Sequence, residues 1–228
     1  MVYEYLFFNI FVFLGPIIGL LLFRINLKPF LKDMIPSIII PAFIFISWDF
    51  FATDVFWSFN ERFITGFKIG KLPFEEMLFF FTVPFSCLSL YILFFHFAKT
   101  KLIKKIFLDI LTAVLFLLGI YFFYSAKFYT SVIFIILSLV WFLDIYITKT
   151  KISLNYSYWF FIFVIMILTS VFNYYLTSRP VVIYDNNFNL GLRFLTIPVE
   201  DYFYSFSLIS LNLIFYNFFA SKKTKKIL

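Results

Sequence analysis

Seven apolar stretches follow one another along the chain, each close to the roughly 20 residues a helix needs to cross a bilayer. They run over about Tyr5 to Phe23, Ile35 to Thr53, Pro73 to Phe97, Ile106 to Phe123, Phe128 to Ile147, Tyr156 to Leu176 and Pro198 to Phe219. Polar clusters divide them at Arg24 to Asp33, Asp54 to Lys71, Lys99 to Lys105, Lys127, Lys149 to Lys151 and Thr177 to Arg193. Apolar runs of this length bounded by charge predict an all-α integral membrane protein with seven transmembrane helices. The connections after the second and sixth helices are long and mix aromatic with charged residues. Glu4, rather than a basic segment, precedes the first stretch, which also lacks a small-residue cleavage pattern, so it reads as a helix that stays.

The chain repeats itself. Gly66 leads to Pro73-Phe74-Glu75-Glu76, Gly191 leads to Pro198-Val199-Glu200-Asp201, and both comparisons have an offset of 125 residues. That offset carries the first helix onto the fifth, the second onto the sixth and the third onto the seventh. The predicted plan is therefore two parallel three-helix repeats joined by a linker transmembrane helix, with divisions at 1–105, 106–127 and 128–228. The linker restores parity, so both halves share one orientation and both acidic motifs reach the same face. Proline suits the first turn of a helix, and acids just after it complement the helix dipole. Two copies at equivalent positions, each followed by aromatics, call for a chemical reason beyond capping, because carboxylates near the hydrocarbon are costly.

Composition and charge narrow the picture further. With 63% hydrophobic residues, 14% charged, 40 Phe and a mean hydropathy of +0.98, the chain has no room for a soluble domain of useful size. If the helices alternate sides, 13 of the 19 cations gather on one side, in the clusters Arg24 to Lys32, Lys99 to Lys105, Lys149 to Lys151 and Lys222 to Lys226. The positive-inside rule then predicts a cell (plasma) membrane protein with its N-terminus outside and its C-terminus cytoplasmic. The Lys222 to Lys226 tail reads as an anchor to anionic lipid headgroups rather than a nucleic-acid site. Nine of the twelve acids fall at or near the outer end. Cys87 is a lone cysteine and His96 a lone, interfacial histidine, so neither a disulfide nor a histidine metal site is predicted. No dinucleotide fingerprint, no lysine in the seventh helix for a retinal Schiff base and no aspartate-rich metal motif is present, so neither a cofactor nor a metal is expected. Gly15 and Gly19, with Pro16 between them, form only a weak helix-packing motif, and the sequence specifies no oligomer.

At several of these stretches the sequence resembles the membrane-integral, flavin-independent lycopene (carotenoid) cyclase family in its fused, two-repeat form. The matching segments are Trp48-Asp49, Trp57 to Arg62, Gly66 to Phe81, Phe172-Asn173, Pro180 to Asn186 and Gly191 to Tyr204. The resemblance implies an intramolecular lyase acting on the acyclic ends of lycopene or a related long polyene. One departure stands out: where the family pattern carries Tyr-Glu pairs, this chain has Tyr91-Ile92 and Tyr216-Asn217.

Such a ring closure is redox-neutral. It protonates a terminal alkene, lets an internal double bond attack the tertiary cation, and removes a proton. The enzyme must therefore supply a carboxylic acid that a dry surrounding keeps protonated, a base, and an aromatic wall that tolerates a cation. The catalytic candidates are Glu75, Glu76, Glu200 and Asp201. Consecutive helical residues point about 100° apart, so one acid of each pair faces substrate, and the repeat-equivalent Glu75 and Glu200 are the expected proton donor and acceptor. Trp48, Trp57, Tyr184 and Tyr202 are candidate cation-facing rings, or members of the interfacial aromatic belt. Arg62 and Arg193 are candidates for holding Asp49, Glu61 or Asp201, or else topological anchors. Asn60 and Asn173 are candidates for orienting a carboxyl, or interhelical glue. A small transporter, which Pro41 and Pro84 inside helices favour, and a non-catalytic carotenoid-binding protein remain alternatives.

Overall fold

The computed structural model describes residues 3–95 and 101–227, with side chains through Ser221; His96 and Lys99 lie outside the described residues. Among the described residues seven helices are long and apolar enough to cross a membrane. They are α1 (Glu4–Leu22), α2 (Lys28–Ala52), α3 (Phe74–Phe94), α4 (Lys105–Tyr124), α5 (Phe128–Phe142), α6 (Tyr156–Ser178) and α7 (Val199–Ile227). The helix α2 begins seven residues before the apolar run at Ile35, because Pro29 in its first turn carries it through Lys32 and Asp33. Six short strands, which the apolar pattern did not foreshadow, occupy the two long connections: β1 (Trp57–Phe59), β2 (Lys68–Ile69), β3 (Leu72–Pro73), β4 (Val182–Tyr184), β5 (Arg193–Phe194) and β6 (Ile197–Pro198). Pro73 and Pro198 end the β2–β3 and β5–β6 hairpins and stand just before α3 and α7, rather than inside the first turn.

The repeat is visible in the backbone. The hairpins β2–β3 and β5–β6 pair in the same register, Lys68 with Pro73 and Arg193 with Pro198. Strands β1 and β4 pair antiparallel across the two halves, with Ser58 opposite Ile183. These two residues are 125 apart, so the pseudo-two-fold axis runs through that pair. The flanking bonds obey the same symmetry: the Asn60 N–H donates to the Val181 carbonyl at 3.0 Å, and the Asp185 N–H to the Phe56 carbonyl at 2.9 Å. Farther along α3 and α7 the repeat mates Tyr91 and Tyr216 meet ring to ring at 6.3 Å.

The offset is not constant. Tyr5 and Tyr129, 124 residues apart, hold equivalent places, since their N–H groups donate to Phe63 and Phe188, which are 125 apart. A π-helical turn at Leu143–Ile147, which accommodates one extra residue, follows α5 and restores the offset of 125 for Arg24 and Lys149, both at positive φ. The linker α4 lies at the periphery and buries only Leu108, Leu115 and Gly119. Gly119 is where it crosses α5 most closely: a Cβ there would stand 2.6 Å from Ile135 Cγ1, and Ser131 Oγ donates to the Gly119 carbonyl at 2.7 Å. By contrast, a Cβ at Gly15 or Gly19 would meet no described atom of this chain within 4 Å, so neither glycine marks a close helix crossing within the bundle.

Candidate active site

Each acidic motif enters its helix from a hairpin, and the hairpin sets the direction of both acids. Gly66 and Gly191, at φ +83° and +69°, turn the chain toward β2 and β5 in a conformation that a side chain would strain. Glu75 turns back to this connection, where its Oε1 accepts the Thr65 N–H at 2.6 Å. Glu200 does the same, accepting the N–H of Leu190, the mate of Thr65, at 2.9 Å and the Thr130 hydroxyl at 2.6 Å. Both are fully buried, and the second carboxyl oxygen of each has no hydrogen-bond partner among the described residues.

One residue onward, the helical rotation points Glu76 and Asp201 elsewhere, into a polar cavity of about 50 Å³ between the two repeats. The Tyr5 hydroxyl donates to Glu76 Oε2, and the Asp49 carboxyl, 1% exposed, faces Glu76 within hydrogen-bonding reach. Asp49 in turn accepts the Tyr204 hydroxyl at 2.7 Å. Asp201 is ringed by donors: the Tyr129 hydroxyl at 2.9 Å on Oδ1, with the Tyr184 hydroxyl at 2.6 Å and the Asn173 amide at 3.1 Å on Oδ2. Burial, and then the negative charge of Asp201, push the Tyr184 phenol well above its ordinary value, which keeps it a donor. Rings close the remaining walls. Trp57 stands against Tyr129 at 5.3 Å and Tyr184 at 6.1 Å, and Phe59 and Phe79 complete the lining.

A second cavity, of about 290 Å³ and almost entirely apolar, runs between α1 and α3 on one side and α6 and α7 on the other. Phe79, Asn173 and Ser205 belong to the walls of both cavities, so the apolar cleft adjoins the acid cavity.

The site thus brings together Asp49, Trp57, Glu76, Asn173, Tyr184 and Asp201 from the sequence candidates, and leaves others outside. Trp48 stacks on Phe56 at 5.6 Å, with its indole N–H buried and without a hydrogen-bond partner among the described residues. Tyr202 shares a hydrogen bond with Ser170 and packs on Phe194. Asn60 closes a turn by accepting the Arg62 N–H. The two arginines do not hold the acids: Arg62 is exposed, Glu61 pairs with Lys68, and Arg193 binds the Thr196 carbonyl and Asn186 at 2.8 Å each. Ile92 and Asn217 lie 16 residues beyond Glu76 and Asp201 along α3 and α7, roughly 24 Å away at 1.5 Å per residue. Ile92 is packed in the apolar core.

Three hydroxyls that line the polar cavity, those of Tyr5, Tyr129 and Tyr204, and the Thr130 hydroxyl that holds Glu200 were not singled out from sequence as site groups. A tyrosine near a helix end reads as belt. The usable signal was the pair Tyr5 and Tyr129 at the starts of repeat-equivalent helices, hidden by the one-residue slip in offset.

No curated protein and no solved structure matches the chain. The sequence model described as lycopene cyclase matches residues 3–94 and 126–219, one segment per repeat, with α4 between them. Matched over more than half its length, in the two segments that carry the paired acids, the chain belongs to the lycopene cyclase family, multi-pass membrane enzymes of carotenoid biosynthesis.

Proposed function

We propose that the polar cavity cyclises the acyclic ends of lycopene or a related long polyene, with the Asp49–Glu76 pair as proton donor and Asp201 as proton acceptor. The observation that carries this reading is the unlike surroundings of two repeat-equivalent acids. Glu76 shares the cavity wall with the Asp49 carboxyl, and two neighbouring buried carboxyls resist ionising together, so the pair keeps a proton. Asp201 receives three O–H or N–H donors, for which its oxygens serve as acceptors. One side of the cavity therefore offers a proton and the other a place to receive one.

The steps balance without any redox partner. A proton passes from the Asp49–Glu76 pair to the terminal alkene, and the charge moves to a tertiary carbon. An internal double bond attacks that carbon and closes a six-membered ring. Loss of a proton from a carbon beside the new cation, to Asp201, sets the ring alkene. Product and substrate are isomers, and the donor pair is recharged by proton return across the cavity. The rings of Trp57, Phe59 and Phe79 face the transient cation, each face being worth about 0.5 to 2 kcal/mol when dry. The Glu75 and Glu200 carboxylates are assigned a positioning role, holding the connections that aim the two motif helices. The acid-bearing end is assigned to the outer face, opposite the lysine-rich connections.

The test is chromatography of carotenoids from lycopene-accumulating bacterial cells expressing the chain, beside Glu76→Gln, Asp201→Asn, Glu75→Gln and Glu200→Gln. Cyclic carotenoids from the wild type, reduced about 10² to 10⁴ fold in Glu76→Gln and Asp201→Asn, are the expected result. Unchanged lycopene with well-inserted wild-type protein sinks the reading. Equal loss in all four variants sinks the division of roles.

A further inference from the structure

The apolar cleft exists on one side of the pseudo-two-fold axis, and three residue pairs account for that. Thr169 and Ser205 line the cleft on α6 and α7, where the equivalent positions of the first repeat, 124 and 125 residues earlier, hold Phe45 and Phe80. Gly15 lines it on α1, where the equivalent position on α5 holds Leu139. The shorter offset for α2 and α6 follows from Asp49 and Asn173, which meet Glu76 and Asp201, and from Thr53 and Thr177, whose hydroxyls donate to the carbonyls of Asp49 and Asn173 at 2.8 Å. On the α2 and α3 side, rings fill the corresponding space. Phe45 and Phe80 are 2% and 0% exposed and meet at 6.2 Å, and Phe45 packs edge-on against Tyr204 at 5.1 Å. Small residues on one side and phenyl rings on the other convert a nearly symmetric pair of repeats into a site with one apolar approach.

We propose that the acyclic end of the polyene reaches the acids from the lipid through the α1/α6 cleft alone, with Gly15 at its mouth and Ser205 at its neck. The inference rests on the cyclase reading for the identity of the occupant. The occupant is argued from the cleft itself: its wall is almost wholly apolar, Gly15 at the mouth is exposed where the helices face lipid, and the inner end shares Phe79, Asn173 and Ser205 with the acid cavity. A long polyene suits this path because only its reacting double bonds must meet the acids of the 50 Å³ polar cavity, while the rest of the end group lies in the 290 Å³ cleft and the tail stays among apolar side chains or in lipid. It follows that a substrate with two acyclic ends presents them in turn, leaving and re-entering between ring closures.

The test compares Gly15→Phe and Ser205→Phe with Leu139→Phe, the matching change on the filled side. At Gly15 a Cβ meets no atom within 4 Å, so the new ring occupies the cleft without forcing the backbone apart. Leu139 is 53% exposed, so a ring there points to lipid. At equal protein in the membrane, Gly15→Phe and Ser205→Phe are expected to reduce cyclic carotenoid about a hundredfold, while Leu139→Phe matches the wild type. Purified protein in nanodiscs supplies a second readout, lycopene quenching of tryptophan fluorescence, which Gly15→Phe weakens and Leu139→Phe does not. Wild-type product and quenching in Gly15→Phe overturn the proposal, as does an equal loss in Leu139→Phe. If wild type binds lycopene but forms no ring, and Gly15→Phe abolishes the binding, the cleft assignment stands and the cyclase reading fails.

Discussion

Asp49 and Asn173 hold equivalent positions in the two repeats, and each meets the third residue of an equivalent helix: Asp49 faces Glu76, and the Asn173 amide donates to Asp201 at 3.1 Å. A carboxyl in one repeat and an amide in the other make two similar acids chemically different. Removing that difference tests whether it matters. Asp49→Asn gives Glu76 an amide neighbour in place of a carboxyl and is expected to lower cyclisation about a hundredfold, the lower end of what acid–base help supplies. Asn173→Asp replaces a donor to Asp201 with a second carboxyl and is expected to lower it as well. Initial rates of ring formation in isolated membranes, normalised to inserted protein, are the measurement.

Glu75 is predicted to act through the backbone. Its Oε1 accepts the Thr65 N–H, an interaction that Gln preserves and Ala removes. Leaving that buried donor without a partner costs about 1 to 3 kcal/mol. Thermal unfolding in detergent should therefore show Glu75→Ala clearly below the wild type and Glu75→Gln close to it. A Glu75→Ala protein as stable as wild type contradicts the positioning role.

Tyr184 gives the fold an alkaline limit. Burial raises its phenol well above the ordinary value of 10.0. Below about pH 10 both the folded and the unfolded chain keep this proton, and the contribution is fully present. Above it the unfolded chain ionises while the fold retains the proton, so stability falls as pH rises. Melting measured across pH 8 to 11, on the order of the range where a phenol titrates, should fall less steeply for Tyr184→Phe than for wild type. At neutral pH the same variant is expected to lose activity, because Asp201 loses its 2.6 Å donor.

Leu195 occupies the turn position that Gly70 occupies in the first repeat, at φ +58° against +62°. An L-residue in this region carries strain of about 1 kcal/mol or more. Leu195 is 60% exposed and has little packing to lose. Leu195→Gly is therefore expected to raise the unfolding temperature slightly. The converse, Gly70→Leu, is expected to destabilise, because a Cβ there would stand 2.5 Å from the Phe50 ring. Unfolding curves of the two variants decide the matter.

The seven helices, their parallel repeat and the pair of acidic motifs were legible in the chain, because a bilayer demands long uninterrupted apolar runs and a duplicated motif needs no coordinates to be recognised. Trp57, Tyr184 and Asn173 were legible too, as polar or aromatic residues in the right segments. The choice between adjacent acids was not. Glu75 and Glu76 are neighbours in sequence, and the entry angle of the β2–β3 hairpin together with a rotation of about 100° decides which one meets the other repeat. The partners of Asp201 come from α5, α6 and β4, brought together with α7 by packing between segments up to 72 residues apart. Local periodicity carries no information about such non-local contacts. The one-sided cleft belongs to the same class: Ser205 and Phe80 are ordinary membrane-helix residues until the packing of α2, α3, α6 and α7 makes one a neck and the other a plug.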